Sequence, residues 1–171
     1  GGHGGSIAWR AEEYEALARR AEEAGLDVLS VYHDLLDQPA IGPLVLMARV
    51  TERIRLGPVA LNPFTLHPYE IAGQTGMLDL VSNGRAFLGL TKGAWLDRLG
   101  IEEDRPLAAL REAVAIIEAL LAGDDRGVAG DRFTLQPGAR LSYPRRRDSI
   151  PLLIGTWGPA TARCSGRRSP R

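Results

Sequence analysis

Two textures alternate along the 171 residues. In the first, apolar positions recur every three or four residues with charges between them. "WRAEEYEALARRAEEAG" places Tyr14, Leu17, Ala18 and Ala21 on one face, and Gly25 supplies a stop, which predicts a helix. "GPLVLMARVTER" predicts a second, with Pro43 near its start. "HPYEIAGQTGMLDLVSNG" predicts a third, with Pro68 and Glu70 in its first turn and Gly84 at its end. Its Ala72, Gly73 and Gly76 would let a neighbouring backbone come close. "RPLAALREAVAIIEALLAG" predicts a fourth, striped by Leu107, Leu110, Val114, Ile117 and Leu121.

The second texture is short, β-prone and apolar almost throughout: "LDVLSVY", "IRLGPVAL", "RAFLGL" and "IPLLIGT". Runs without alternation suit strands buried on both faces of a parallel sheet. The order α-β-α-β-α-β-α-β predicts βαβ units in an α/β fold. Residues 124–149 break this rhythm. Gly, Pro and Arg dominate there, and "RFTL" and "ARLSY" suggest a small hairpin, so the stretch reads as an insertion before the last strand. Its Arg145, Arg146 and Arg147 read as a solvated face.

Composition narrows the partners. Apolar residues make up 44% and charged residues 25%, with 21 basic against 21 acidic side chains. That balance gives no field to recruit nucleic acid or an anionic membrane. No apolar run approaches the roughly 20 residues of a bilayer span. "GGHGGSIAWR" lacks the pattern of a signal peptide and reads as a flexible start over residues 1–9. One cysteine, Cys164, excludes an internal disulfide framework and reads as an inert thiol, so the cytoplasm is the default location.

Candidate chemistry gathers after the strands. Lys92 is the only lysine, but Gly93 and Ala94 follow it, so no phosphate-binding Gly-x-x-x-x-Gly-Lys-Ser/Thr loop is present. It reads as an exposed loop lysine. No Gly-x-Gly-x-x-Gly follows a strand, and no Gly-x-Ser-x-Gly elbow appears. The three histidines, His3, His33 and His67, show no metal-ligand spacing. His33 and Asp34 follow the first strand, where parallel α/β folds collect their chemistry. They could place a proton donor or a hydrogen bond to a ring carbonyl, or form a polar strand exit with no role. Asn62 could face a ligand at the second strand's end. His67 could cap the next helix.

Four segments in order, "AEEAGLDVLSVYHD", "TERIRLGPVALNPFTLHPYEIAGQTGMLDLVSNGRAFLGL", "LREAVAIIEALLAG" and "IPLLIGTWGPATA", resemble the luciferase-like monooxygenase superfamily. Within it they resemble most the branch that uses coenzyme F420 and includes methylenetetrahydromethanopterin reductase. The resemblance implies a (β/α)8 barrel, seen here as about four βα units. It implies a flavin or deazaflavin across the strand mouth, with coenzyme F420 expected and FMN the alternative. The ring would lie near His33 and Asp34, against Val59, Ala60 and Asn62. The second strand would carry a bulge with a non-prolyl cis peptide at Val59–Ala60. Thr91 would flank the ring, and Thr156, Trp157 and Gly158 would hold the cofactor's tail. The implied reaction is hydride transfer to or from a small organic substrate, or oxygen activation if the cofactor is FMN. Two positions depart from the family: it often reads Asp-His where this chain has His33-Asp34, and several members carry an acid where this chain has Ala94.

A barrel needs eight strands and about 250 residues. The chain therefore reads as a single, incomplete luciferase-like domain over residues 1–171, with an atypical tail at 164–171. A frameshift in a longer ancestor would account for that tail. Half a barrel leaves an inner face and two strand edges for another copy to cover. Weak or absent turnover is the expectation for these residues alone. Two other readings stand beside it: a shortened flavin-binding protein without turnover, and an inactive remnant.

Overall fold

Four helices and four strands alternate in the order read from the sequence. They are α1 (Ala11–Glu23), β1 (Val28–Val31), α2 (Ile41–Arg49), β2 (Arg55–Pro58), α3 (Pro68–Val81), β3 (Leu88–Leu90), α4 (Pro106–Ala122) and β4 (Leu152–Ile154). A short 3-10 helix, Leu96–Leu99, precedes α4. The computed structural model describes residues 10–102 and 104–155.

Helix ends follow local chemistry. The Arg10 amide donates to the Glu13 carboxylate at 2.8 Å, opening α1. The His67 ring accepts from the Tyr69 amide at 3.2 Å and caps α3, with Pro68 in its first turn. In α1 the predicted face is the buried one: Tyr14, Ala18 and Ala21 are buried and Leu17 packs beside them. In α4 the buried face is broader than the predicted stripe and turned from it. It holds Ala109, Leu110, Ala113, Ile116, Ile117, Leu120 and Leu121, while Leu107 and Val114 are half-buried. Alanines carry little hydropathic signal, yet two of them lie in this face.

Strands β1 and β2 pair in parallel from Val28↔Arg55 to Val31↔Pro58, and β3 and β4 from Leu88↔Leu152 to Leu90↔Ile154. Parallel bridges at Leu56↔Ala86 and Leu61↔Leu90 join the two pairs. Strand order is thus chain order. The helices pack in the same sequence, α1 on α2, α2 on α3 and α3 on α4. This is part of a (β/α)8 barrel, as expected.

Between the two bridges β2 uses one more residue than β3, which is a β-bulge. The bulge spans the stretch with the cis peptide Val59–Ala60, where the resemblance placed both. Gly89 lies opposite. A Cβ on it would come within 2.5 Å of the Pro58 carbonyl oxygen, so a glycine is needed for β3 to run this close.

Only β2 and β3 approach burial on both faces. In β1, Leu29 and Val31 pack on the helices while Val28 is 44% exposed. In β4, Leu152 and Ile154 pack inward while Leu153 is 55% exposed. The expectation of fully buried strands fails for these two because Val28 and Leu153 alternate with the helix-packed residues and so lie on the sheet face turned from the helices.

Two charged side chains fasten the ends where the strands begin. Arg85 donates to the carbonyls of Ala48, Thr51, Ile54 and Ser82 and to the Thr51 hydroxyl, at 2.6–3.1 Å. The Glu22 carboxylate accepts from the amides of Glu52, Arg53 and Ile54 at 2.6–3.0 Å. Burial pushes the Glu22 carboxyl up, but those three amides and the Arg53 charge outweigh it and hold its pKa at about 2.

Residues 124–149 contain no helix or extended strand, only an antiparallel bridge between Val128 and Leu135. The "RFTL"–"ARLSY" hairpin does not form, because Phe133 turns into the core instead. The arginine run is a solvated face only in part: Arg145 and Arg146 are exposed, whereas Arg147 is half-buried. Arg145 donates to the last carbonyls of α4, and Arg147 pairs with Asp79. On α3 the close approach falls at Gly76, where the Tyr143 hydroxyl fills the space a Cβ would take; the neighbour is a side chain, not a backbone. Among the described residues no helix is long and apolar enough to cross a membrane.

Candidate active site

Because all four strands are parallel, their C-terminal ends open on one side. Hydrogen bonds bring the exits together. The Val59 amide donates to the Val31 carbonyl at 2.9 Å, setting the exit of β1 beside the bulge. The Thr91 amide donates to the Leu61 carbonyl at 2.9 Å, setting the exit of β3 beside Asn62. The Thr91 hydroxyl donates to the Gly155 carbonyl at 3.3 Å, and the Gly155 amide to the Leu90 carbonyl at 2.8 Å. Val59, Ala60, Asn62 and Thr91 therefore share one mouth with the His33 segment. Thr156, Trp157 and Gly158 lie outside the described residues.

His33 is half-buried, and its Nδ1 accepts the Ala40 amide at 3.2 Å. A ring that accepts at Nδ1 carries its hydrogen on Nε2. Burial lowers the pKa of His33, with Asp34 opposing in part, so the ring is neutral at pH 7 and offers one N–H donor. Asp34 is exposed, and the hydrogen bond that orients the His33 ring comes from the Ala40 amide. The same loop is tied by Tyr32 to Asp37 at 3.3 Å and by Tyr14 to Gln38.

Asn62 is 7% exposed, and its Oδ1 accepts the amides of Phe64 and Thr65 at 3.1 and 3.0 Å. Its carbonyl is therefore committed to the turn, and contact with a bound molecule falls to its NH2 group. Gly93, at φ +92°, brings the loop after β3 against Asn62: a Cβ there would lie 3.2 Å from the Asn62 Cγ. That loop carries Lys92, exposed as expected.

One residue was passed over in the sequence. Trp95 is 55% exposed in a left-handed conformation, with Arg98 5.9 Å over its ring. Trp95, Leu96, Asp97 and Glu102 border an open cavity of about 530 Å³. A lone tryptophan in a glycine-flanked polar loop was the available signal.

The donor set fits a planar heterocycle with an apolar face and a polar rim. Val59 presents exposed apolar surface, His33 and Asn62 supply N–H donors, and the Thr91 hydroxyl, whose hydrogen goes to the Gly155 carbonyl, offers an acceptor oxygen. Among the described residues no group of three potential metal ligands occurs.

A family model described as luciferase-like monooxygenase matches residues 1–169. The chain is 34% identical over 149 residues to the 5,10-methylenetetrahydromethanopterin reductase of Archaeoglobus fulgidus, covering 86% of this chain and 44% of that protein. It is 31% identical over 165 residues to the F420-dependent glucose-6-phosphate dehydrogenase of Amycolatopsis mediterranei, covering 88% and 49%. Among solved structures, the coenzyme F420-dependent tetrahydromethanopterin reductase of Methanopyrus kandleri superposes with a TM-score of 0.80 at 26% identity, over 94% of this chain and 51% of that one. The chain spans about half the length of the curated relatives it matches.

Proposed function

The chain belongs to the luciferase-like monooxygenase family, and on that footing we propose that it forms the cofactor-receiving part of a coenzyme F420-dependent oxidoreductase acting on a small organic substrate. One observation carries this reading. The bulge of β2 lies between the exit of β1 and Thr91, so apolar surface, N–H donors and a hydroxyl acceptor converge at one mouth. Relatives named for coenzyme F420 support the choice of a deazaflavin over FMN.

When bound, the deazaflavin would supply the hydride-carrying carbon, as cofactors do for steps side chains cannot perform. The residues of this chain orient it. Val59 packs against a ring face. His33, kept neutral by burial and fixed in its tautomer by the Ala40 amide, donates from Nε2 to a carbonyl on the ring. Asn62 presents its NH2 group, and Thr91 the acceptor side of a hydroxyl whose hydrogen goes to Gly155. Ala94, where the family resemblance implies an acid, supplies no proton donor to substrate.

Separate titrations of the purified chain with coenzyme F420 and with FMN, followed by fluorescence, test the reading. Saturable binding of F420, tighter than FMN by about tenfold or about 1.4 kcal/mol, supports it. Preference for FMN replaces it with the oxygen-activating alternative, and binding of neither overturns it.

A further inference from the structure

Glu112 lies on α4, and its carboxylate reaches across to residues 131–133. Oε1 accepts the Asp131 amide at 3.1 Å, and Oε2 accepts those of Arg132 and Phe133 at 3.0 Å each. Gly130 makes the approach feasible, since a Cβ there would fall 2.7 Å from the Glu112 Cδ. The Phe133 amide, against burial and together with the Arg132 and Asp131 amides and the Arg105 charge, holds the Glu112 carboxyl below its usual range.

The segment pinned this way delivers two side chains toward the strand mouth. Phe133 is buried and meets the His67 ring edge-on at 5.5 Å. Arg132 sets its guanidinium 4.8 Å over the ring of Phe64. Phe64 belongs to the turn whose amides bind Asn62 Oδ1, and Asn62 follows the strand residue that accepts the Thr91 amide. A continuous path of contacts thus runs from an outer helix to the mouth.

We propose that Glu112 is a positioning residue for the loop between β2 and α3: by fixing residues 131–133 it holds Arg132 over Phe64 and so keeps Asn62 turned as the mouth requires. The consequence for cofactor binding rests on the proposed function; the mechanical link does not.

Amide hydrogen exchange separates the two. The chain is compared with Glu112→Gln, with Arg132→Leu, whose side chain is exposed, and with the double variant. The Ile54 amide, held by Glu22, is the internal reference. Each single variant is expected to speed exchange at Phe64 and Thr65 by about fivefold, with Ile54 unchanged. The double variant should be no faster than the faster single one, because both act along one path. Unchanged exchange at Phe64 and Thr65 overturns the proposal. So does acceleration confined to residues 131–133, as a purely structural staple would give, or additive effects in the double variant. Weaker binding of coenzyme F420 in the same order of variants is the expected functional readout. If the parent chain binds no F420, the cofactor reading falls while the exchange data still decide the link.

Discussion

The guanidinium of Arg147 lies 2.7 Å from the carboxylate of Asp79, where α3 turns into β3. Asp79 is 1% exposed and also accepts the Ala86 amide at 3.2 Å. A residue from the irregular stretch before β4 therefore satisfies a charge buried under the sheet. Removing one partner of such a pair strands the other. Arg147→Gln is expected to lower stability by about 3 kcal/mol in urea denaturation. Asp79→Asn combined with Arg147→Met should cost less than the two single changes together. Additive losses would show that the pair is not coupled.

Glu22 predicts an acid-sensitive seam. Its folded pKa, about 2, lies below its ordinary value of 4.5, so the folded chain holds the ionised form more strongly than the unfolded chain does. Its stabilisation is present above about pH 4.5 and is lost as the pH falls toward 2. Glu22→Gln should lower stability at pH 7 by about 1–3 kcal/mol. It should also flatten the pH dependence in that window, as read by thermal denaturation between pH 2 and 7.

Two glycines should respond oppositely to alanine. At Gly89 a Cβ meets the Pro58 backbone oxygen across the bulge, and Gly89→Ala is expected to cost about 1–3 kcal/mol. At Gly73, inside α3, a Cβ meets nothing within 4 Å, and Gly73→Ala should stabilise by up to about 1 kcal/mol. A melting temperature unchanged or raised in Gly89→Ala would count against the close packing at the bulge.

His33 should titrate below the ordinary histidine value of 6.5, chiefly because it is half-buried. Protonation would put a hydrogen on Nδ1 and break its bond with the Ala40 amide. The tether on the loop after β1 is thus intact above about pH 6.5 and is lost as the pH falls through the lowered pKa. Nitrogen shifts of the imidazole should show an Nε2–H tautomer at pH 7. An Nδ1–H tautomer would contradict the hydrogen bond.

The fold was legible because helical stripes and apolar runs report independently on two periods, as in the face of Tyr14, Ala18 and Ala21 against the run ending at Leu90. Family resemblance located the bulge and the cis peptide, which no periodicity could have shown. Part of the stretch carrying that resemblance turns out to be structural: Thr51, Ile54, Ser82 and Arg85 form a clamp at the ends where the strands begin, away from the mouth. Arg146 is exposed as read, but Arg147 deceived because charge in a loop looks solvated unless its buried partner is known, and Asp79 is 68 residues from Arg147. Exposure of Val28 and Leu153 follows from the uncovered inner face that half a barrel implies, although the unbroken apolar runs by themselves pointed to burial on both faces.

Amide chemical-shift mapping of the labelled chain during titration with coenzyme F420 tests the central claim most directly. Perturbations are expected to centre on His33, Ala60, Leu61, Thr91 and Gly155, the exits of the four parallel strands. Saturable shifts centred elsewhere, such as on the groove of about 350 Å³ between Tyr69 and Tyr143, or no shifts at all, would contradict the assignment of the strand mouth as the cofactor site.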